Sequence, residues 1–592
     1  MGLYGTARAT SQADLVVVGT VVTMAASTPR AQALAVSGGK VAFVGDAASA
    51  RKRLRPGGRL IALEPGQAVV PGLVDAHVHM LDAGVMGKRC TLDEAKTKAR
   101  ALELIGQYSR AHPELAWVIG SGWALSLFEE RGPTAAELNA VVADRPAVFY
   151  GQDGHSAWLN SRALAAAGIT ARKPDPERGR IERTATGKPS GTLREAAVNL
   201  VEKVVPQPST KQWLAGLRAA QSYLHSLGIT MVQDANVSPR MLKIYHRAAS
   251  SGQLTMKVVA AQATDPGKPA SQANDLARLR DRYSVGRLSA SAAKIFIDGV
   301  LEARTAALLA PYHGRDERGT LNWEDAAALA DLVSRLDRHG LQIHMHAIGD
   351  HAVRWGLDAL AAARLINGPS DNRHHIAHLQ LVAAADIPRF RALGVIATFQ
   401  PFWMFPDEWI AESAEAVIGR ARARRLFPFR SIVRPGARIA AGSDWPVSSP
   451  NPFLAIQAGV TRQSPEPPVG PPWIPSERVS RQTLLAAYTT GGAYVNRREH
   501  ETGSLEVGKA ADFIIVDQNP LTVPLRRIGG TRVLRTLVDG EEVYIHSSDR
   551  GHQRGPGPSS RDVTTGTIPR LAVRRPCCYG DRPSAGSVAG PQ

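Results

Sequence analysis

Two histidines, His77 and His79, end an apolar segment with the sequence VVPGLVDAHVHM. Side chains two positions apart on a β-strand point to the same face, about 6–7 Å apart along the backbone. Two imidazoles in that arrangement can bind one metal ion, although such a pair also occurs by chance as two exposed loop histidines. The pair alone therefore leaves both interpretations open.

Three more residues with metal-ligating side chains end other apolar segments. His346 ends LQIHMH, His378 ends HHIAH, and Asp444 ends RIAAGSD. If these segments are strands of a parallel barrel, their carboxyl ends meet at one mouth, where barrel enzymes place catalytic groups. Nitrogen and carboxylate ligands suit Zn²⁺ and related divalent ions. We therefore predict a site of four histidines and one aspartate for one or two divalent ions, most simply Zn²⁺.

Lys294, in the segment AAKIFIDG, is a less obvious candidate. A lysine in an apolar strand normally extends its amine to solvent or pairs with an acid, here Asp298. Beside metal ions it could instead react with carbon dioxide and become a carbamate, an anionic oxygen ligand able to bridge two metals. From the residues alone, the ion pair with Asp298 is favoured.

The residues named above lie in segments that alternate between strand and helix patterns. Apolar residues recur at helical spacing in Gln212–Leu227 and again in Trp323–His339, and each helix pattern ends next to a glycine. Eight strands alternating with helices predict an α/β fold, a (β/α)8 TIM barrel. The predicted strands are Val69–His77, Ile229–Asp234, Leu254–Ala260, Ala292–Asp298, Leu341–His346, His375–Leu379, Val395–Gln400 and Arg438–Ser443.

The segments outside this pattern define the remaining predicted domains. Residues 12–66 and 500–546 are β-rich, and we expect both chain ends to form one small β-sandwich flanking a barrel of residues 67–499. Residues from about 85 to 210 separate the first two strands and are too many for an ordinary connection. They predict an inserted subdomain that supplies walls of a substrate pocket. Residues 547–592 are rich in Gly, Pro, Ser and Arg, which predicts a disordered basic tail.

The net charge of +18 over 592 residues raises the question of nucleic-acid binding. Part of this charge lies in the predicted tail, and no RNA-binding, helix-turn-helix or zinc-finger pattern is present. No apolar run approaches the roughly 20 residues of a membrane span, and the first dozen residues lack the apolar core of a secretory signal. We therefore expect a cytoplasmic enzyme with a small-molecule substrate and neither nucleic-acid nor membrane partners. A homodimer is the candidate assembly.

Seven segments, taken in order, resemble the amidohydrolase superfamily: PGLVDAHVH, KIFIDG, RTAAL, HAIGD, AHLQL, QP and GSDWPV. The similarity is greatest to its amidohydrolase-3, YtcJ-like branch, which includes N-substituted formamide deformylase. The middle segments WVIGSGW, GHSAWLNSRAL and GTLREA resemble the insertion of that branch. The resemblance covers about residues 12–546.

The resemblance implies a metal-dependent amidohydrolase that cleaves a C–N bond in an amide, N-formyl or N-acyl amine by attack of metal-bound hydroxide. Lys294 would be the bridging carbamate, and Asp444 and His378 would be the catalytic residues, with Asp444 taking the proton from the nucleophilic water. Glu195 is a rival carboxylate ligand that precedes the second barrel strand. The implied metal ligands are His77, His79, Lys294, His346, His378 and Asp444.

Other positions bear on substrate and on the alternatives. This chain has Ala377 where the branch usually has an acid and Trp445 where a smaller residue is common, so the substrate is less defined than the chemistry. His344 is expected one layer deeper in the barrel than His346. A mononuclear deaminase or an ester or lactone hydrolase on the same scaffold is the alternative, and Lys294 argues against the deaminase. The predicted substrate-binding residues are Trp123, His155, Arg304, Gln400 and Trp445.

Overall fold

The computed structural model describes most of the chain in two compact units. The first unit comprises residues 12–78, 221–444 and 450–552, and the second comprises residues 79–220 and 445–449. The described residues are 12–87, 89–92, 95–124, 127–128, 131–151, 156–176, 179–301, 304–323, 325–406, 413–467 and 469–552.

The strands are β1 Ala13–Val22, β2 Arg30–Ser37, β3 Lys40–Gly45, β4 Leu54–Ala62, β5 Ala68–Pro71, β6 Leu73–Val78, β7 Cys90–Thr91, β8 Val118–Trp123, β9 Ala147–Gly151, β10 Ser156–Leu159, β11 Gly179–Arg183, β12 Pro189–Glu195, β13 Ile229–Val237, β14 Lys257–Ala263, β15 Leu288–Phe296, β16 Gln342–Ala347, β17 His375–His378, β18 Ile396–Phe399, β19 Ile439–Ala441, β20 Phe513–Val516, β21 Val533–Val538 and β22 Glu541–Ile545.

The α-helices are α1 Ala47–Arg51, α2 Met80–Met86, α3 Lys98–Ala111, α4 Ala135–Asn139, α5 Ser161–Ala166, α6 Val198–Glu202, α7 Thr210–Ser226, α8 Pro239–Ser250, α9 Gln272–Tyr283, α10 Ala326–Arg338, α11 Asp350–Asn367, α12 Ile387–Leu393, α13 Ser413–Ile418, α14 Arg420–Ala423, α15 Phe429–Val433, α16 Pro452–Thr461, α17 Arg481–Ala487 and α18 Thr490–Val495. In the ranges that the structure describes, no helix is long and apolar enough to cross a membrane.

Eight parallel strands form the central sheet of the first unit, in the order β6-β13-β14-β15-β16-β17-β18-β19. The two end strands, β6 and β19, also pack against each other. Just beyond them, the N–H of Asp444 donates to the C=O of His77 at 2.7 Å, so the sheet nearly closes. The predicted α/β class and (β/α)8 barrel are confirmed.

The first predicted strand, Val69–His77, divides between two sheets. Its beginning is β5 in the sheet of the chain ends, and its end is β6 in the barrel. Gly72 lies at the crossing, where an added Cβ would meet the Thr230 side chain at 2.4 Å. Because this contact needs a residue without a side chain, the glycine lets one continuous apolar segment supply both sheets.

Both ends of the described chain form one eight-stranded sheet in the first unit. Its order is β22-β21-β20-β5-β1-β2-β3, with β4 pairing with β1. β20 runs antiparallel to β5, and this pairing joins the two ends of the chain. On β14 of the barrel, the Lys257 amine donates to Asp512 at 2.6 Å and to Asp539 at 2.8 Å, which fastens the barrel to this sheet. Both chain ends therefore combine, as expected for the small β-sandwich, and their strands form one hydrogen-bonded sheet.

The second unit has a sheet of its own, in the order β11-β12-β10-β9-β8-β7. Its apolar core includes the buried side chains of Trp123, Phe149 and Trp158. This is the inserted subdomain that the long interval after the first barrel strand predicted, whereas the domain boundaries themselves stay predictions. In the predicted tail, Ser547–His552 form a 3-10 helix, and residues from 553 onward lie outside the described residues.

One buried histidine links three elements of the first unit. His225, in the last turn of α7, donates from Nδ1 to the C=O of Ile229 at 3.0 Å, and its Nε2 lies 2.9 Å from the Thr255 hydroxyl. The Thr536 hydroxyl donates to the backbone C=O of His225 at 2.7 Å. Burial lowers the pKa of His225 to about 4, so the folded chain holds it neutral.

This histidine makes folding stability depend on pH. The unfolded chain binds a proton near the ordinary pKa of about 6.5, whereas the folded chain does not bind it until the pH falls toward 4. Its stabilisation is therefore fully present above pH 6.5 and is lost as the pH falls. Between pH 7 and pH 5 we expect the free energy of unfolding to drop by about 2 kcal/mol from this group. Urea unfolding of wild type and His225→Gln at both pH values measures it, and an equal pH dependence in the variant would contradict the assignment.

Candidate metal centre

Three of the predicted ligands come together at the carboxyl ends of the barrel strands. His77 lies at the end of β6, His378 is the last residue of β17, and Asp444 follows β19. Their ligand atoms all lie within 4.8 Å of one another, and all three side chains are fully buried. Buried imidazoles and a carboxylate this close are the donor set of a divalent metal site.

Two of these residues have an unusual backbone conformation. His378 has a φ of 78° and Asp444 a φ of 58°, in the left-handed region that non-glycine residues rarely adopt. Along β17, His375 and Ala377 face the barrel interior, since they are in register with His344 and His346 of β16. A regular strand would turn His378 outward. The left-handed residue at the strand end allows it to lie inside, and such strained residues are characteristic of functional sites.

Hydrogen bonds determine which nitrogen each histidine offers. His77 Nδ1 lies 2.9 Å from His344 Nε2, while its own Nε2 lies 3.3 Å from Asp444 Oδ1. His378 donates from Nδ1 to Gln400 Oε1 at 3.0 Å, which leaves the lone pair on Nε2. In both histidines, Nε2 is therefore the nitrogen suited to binding a metal.

Lys294 is fully buried inside the barrel beside this cluster. Its amine lies 3.4 Å from His77 Nε2 and 4.8 Å from the centre of the Phe296 ring. Asp298, the acid considered as its partner, accepts backbone N–H groups of three other residues: Ala307 at 2.9 Å, Ile348 at 3.0 Å and Gly349 at 2.8 Å. Burial raises the pKa of Asp298 to about 7, whereas these donors favour the charged carboxylate. Asp298 thus fixes the loops that follow β15 and β16.

His346 lies next to His378, with the two ring centres 4.5 Å apart. Its Nε2 donates to the C=O of Gly299 at 3.0 Å, so the lone pair of the neutral ring is on Nδ1. His346 therefore differs from His77 and His378 in the nitrogen that it offers. His79 belongs to the second unit, where it precedes α2 and donates its backbone N–H to the C=O of Trp445 at 2.8 Å.

The sequence interpretation did not identify the residues that hold the first and last strands together. Asp75, two positions before His77, accepts the backbone N–H of His77 at 3.1 Å. It also accepts the backbone N–H of Ser443 at 3.0 Å and the Ser443 hydroxyl at 2.5 Å. Burial raises the pKa of Asp75 to about 7. The sequence did contain a sign of this role, because Asp75 stands inside an apolar strand segment. A carboxylate buried there needs hydrogen-bond donors from neighbouring strands.

The predicted substrate-binding residues lie in different surroundings. Gln400 is buried against His378, as described above, and Arg304 is exposed with a φ of 55°. In the second unit, Trp445 is buried, and Trp123 is buried in the core with its indole N–H bonded to the C=O of Phe149 at 2.8 Å. His155 lies outside the described residues. Glu195, the rival ligand, is an exposed residue of the second unit.

Trp403 is a further aromatic residue beside the cluster. Its ring stacks on His378 with an interplanar angle of 6° and a distance of 5.4 Å between ring centres. The residue is half-buried and lies in the short 3-10 helix Pro401–Trp403 that follows β18. It supplies a flat apolar surface next to the candidate ligands.

The close approach of β6 and β19 requires a glycine. A Cβ at Gly442 would lie 2.5 Å from the backbone nitrogen of His77 and 2.9 Å from Asp75 Oδ1. We expect Gly442→Ala to lower the free energy of unfolding by about 1–3 kcal/mol, because backbone atoms cannot move aside. Gly470→Ala is the matched control, since a Cβ there meets nothing within 4 Å. Equal urea midpoints for the two variants would contradict this account of barrel closure.

The chain is similar to known proteins over most of its length. The model of the amidohydrolase family, Amidohydro_3, matches residues 61–544. The chain is 31% identical to protein LONG AFTER FAR-RED 3 of Arabidopsis thaliana, over 90% of this chain and 92% of that protein. It is 29% identical to N-substituted formamide deformylase of Arthrobacter pascens, over 90% of this chain and 98% of that protein.

Among solved structures, the fold is similar to that of an uncharacterized metal-dependent hydrolase from Pyrococcus furiosus. The TM-score is 0.70 at 26% identity, and the match covers 86% of this chain and 100% of the other. The family match spans most of the chain, from the sheet of the chain ends through the whole barrel. The chain therefore belongs to the amidohydrolase family and is a hydrolase.

Proposed function

We propose that this chain is a metal-dependent amidohydrolase that cleaves the C–N bond of an N-formyl or N-acyl amine. The observation that carries the proposal is the buried cluster of His77, His378 and Asp444, whose ligand atoms all lie within 4.8 Å of one another. Two nitrogens and a carboxylate suit Zn²⁺ but also accept manganese, iron or cobalt. The similarity to N-substituted formamide deformylase supports the choice of bond.

Lys294 extends this donor set. Its buried amine lies 3.4 Å from the metal-facing nitrogen of His77. The reaction of this amine with carbon dioxide requires its neutral form. Its Nζ would form a bond to the carbon of carbon dioxide and lose a proton, giving an anionic carbamate that can bind two ions. His346, and His79 from the sequence motif, complete the proposed ligands.

A bound divalent ion would supply Lewis-acid chemistry and a nucleophilic water at neutral pH. The part that this chain plays is to hold groups and to move a proton. Asp444, 3.3 Å from His77, would take the proton of the attacking water and pass it to the leaving nitrogen. His378 is kept in orientation by Gln400, and the Gly299 carbonyl does the same for His346. A general base and acid on one side chain fits amide hydrolysis, where the leaving amine must be protonated.

The surroundings of His378 suggest an apolar or aromatic substituent on the substrate nitrogen. The half-buried Trp403 ring lies parallel to the His378 ring. Its sequence neighbours Phe402 and Phe405 pack edge to face against each other, with their ring centres 5.5 Å apart. Aromatic surfaces of this kind bind planar apolar groups through area and stacking. An N-substituted formamide with an arylalkyl group is therefore the substrate class that we propose to test first.

One observation favours a second candidate. The three residues that come within 4.8 Å of one another are sufficient for a single ion, which a mononuclear deaminase or an ester or lactone hydrolase would use. Lys294 separates the two candidates, because a bridging carbamate has a function only where two ions are bound.

The proposed function makes a prediction about metal content. Wild type is expected to hold about two divalent ions per chain and to hydrolyse N-formyl arylalkylamines, whereas Lys294→Ala loses metal and activity together. Added short carboxylic acids should restore part of both. Elemental analysis with a panel of N-formyl amines, N-acyl amines, amino-purines and lactones measures this.

The matched control is Lys243→Ala, an exposed lysine of α8 that should leave metal and activity unchanged. One tightly held ion that Lys294→Ala leaves in place would favour the mononuclear candidate. A wild-type chain that binds no divalent ion and hydrolyses nothing would overturn the proposed function.

Proton transfer by Asp444 can be tested separately from metal binding. Asp444→Asn keeps a ligand oxygen but cannot accept a proton, so kcat should fall about 10²–10⁴-fold. Metal content should fall much less than in Lys294→Ala. Steady-state kinetics with elemental analysis tests this, and kcat within a few-fold of wild type would exclude Asp444 as the proton carrier.

A further inference from the structure

Beneath the metal-site cluster lies another buried histidine, His344, on β16. Its Nε2 lies 2.9 Å from Nδ1 of His77, and the two rings meet edge to face with their centres 4.6 Å apart. His344 is fully buried and is in register with Lys294 on the neighbouring strand. Its side chain therefore contacts the far side of His77, away from Asp444.

We propose that His344 is a positioning residue that fixes the proton of His77 on Nδ1 and holds the ring in its metal-binding orientation. This inference rests on the proposed metal site. A hydrogen bond between two ring nitrogens needs one donor and one acceptor. His77 Nε2 faces Asp444 and Lys294 and would offer its lone pair to a bound metal, which would make Nδ1 the donor. His344 accepts at Nε2 and carries its own proton on Nδ1.

An imidazole is an unusual hydrogen-bond acceptor for a metal-binding histidine, and the charges around His77 explain why one is used here. Metal-ligating histidines usually donate their second N–H to a carboxylate, a carbonyl or water. The His77 neighbourhood already contains the buried carboxylates of Asp75 and Asp444. A third carboxyl group there could ionise only against the repulsion of charged neighbours, because charges interact strongly in a low-dielectric interior. A neutral imidazole orients His77 without adding charge.

His375, another histidine of the barrel interior, serves as a control. It separates the effect of the hydrogen bond to His77 from the effect of filling the interior with an imidazole ring. His375, on β17, is as fully buried as His344, and the two rings lie 4.0 Å apart. Its Nδ1 is bonded to the Thr398 hydroxyl at 2.9 Å rather than to His77. His375 therefore shares the packing of His344 without the bond to the ligand.

The test uses two amide substitutions that differ in reach. In His344→Gln the amide oxygen extends to the place of Nε2 and can still accept from His77, whereas in His344→Asn it is one methylene too short. We expect His344→Asn to weaken Zn²⁺ affinity about 10–100-fold and His344→Gln to stay near wild type. His375→Asn, which keeps a polar atom near Thr398, should bind Zn²⁺ like wild type.

Chelator competition on the full chain gives the affinities, and the visible spectrum of the Co²⁺-loaded chain reports the ligand environment independently of activity. Thermal unfolding of the metal-free variants measures packing. Wild-type affinity and spectrum in His344→Asn would overturn the inference and leave the proposed function intact. Equal loss of affinity in His375→Asn would also overturn it, by assigning the effect to packing. A wild-type chain without metal affinity would overturn the proposed function and this inference together.

Discussion

The site depends on how the first and last barrel strands are held at their carboxyl ends. Asp75 accepts two backbone N–H groups and one hydroxyl, and these donors belong to His77 and Ser443. The N–H of Asp444 then bonds to the C=O of His77 at 2.7 Å. A buried carboxylate is stable only with such donors, so folding cannot bury Asp75 without also bringing the two strand ends together. Barrel closure and the first contact of the candidate metal site thus depend on the same group of hydrogen bonds.

Once the strands are closed, the orientation of each side chain depends on its neighbours rather than on the strand pattern. Regular alternation would turn His378 out of the barrel, and a φ of 78° brings it in. Gln400 then selects which nitrogen it offers, as Gly299 does for His346. A left-handed residue costs on the order of 1–3 kcal/mol, which the surrounding packing must outweigh. The site is therefore built on conformational strain that the rest of the barrel stabilises.

The strand ends could be predicted from the sequence because hydrophobic runs and their terminal polar residues are local signals. The division of Val69–His77 between two sheets could not, because it depends on the contact of Gly72 with the distant Thr230. Trp123 was predicted to line the substrate pocket, whereas the structure places it in the core of the second unit. The sequence shows that a segment is aromatic but does not show which face of it is buried. The nitrogen that each histidine offers also escaped prediction, because it is chosen by partners far away in the chain, as His344 is for His77.

The barrel interior is polar well below the candidate site. Branched apolar side chains fill most such barrels, but here Gln233 donates to Gln342 at 2.7 Å and to Asn496 at 3.1 Å, in the same interior as His344 and His375. Polar groups buried in this way lose solvation free energy unless their hydrogen bonds are made, and each such bond accepts only a narrow geometry. An apolar core of equal volume would leave side chains freer to exchange rotamers. The hydrogen bonds of the polar interior therefore fix the orientations of the buried rings. A cluster of neutral imidazoles needs such fixed orientations in order to direct its lone pairs at one metal ion.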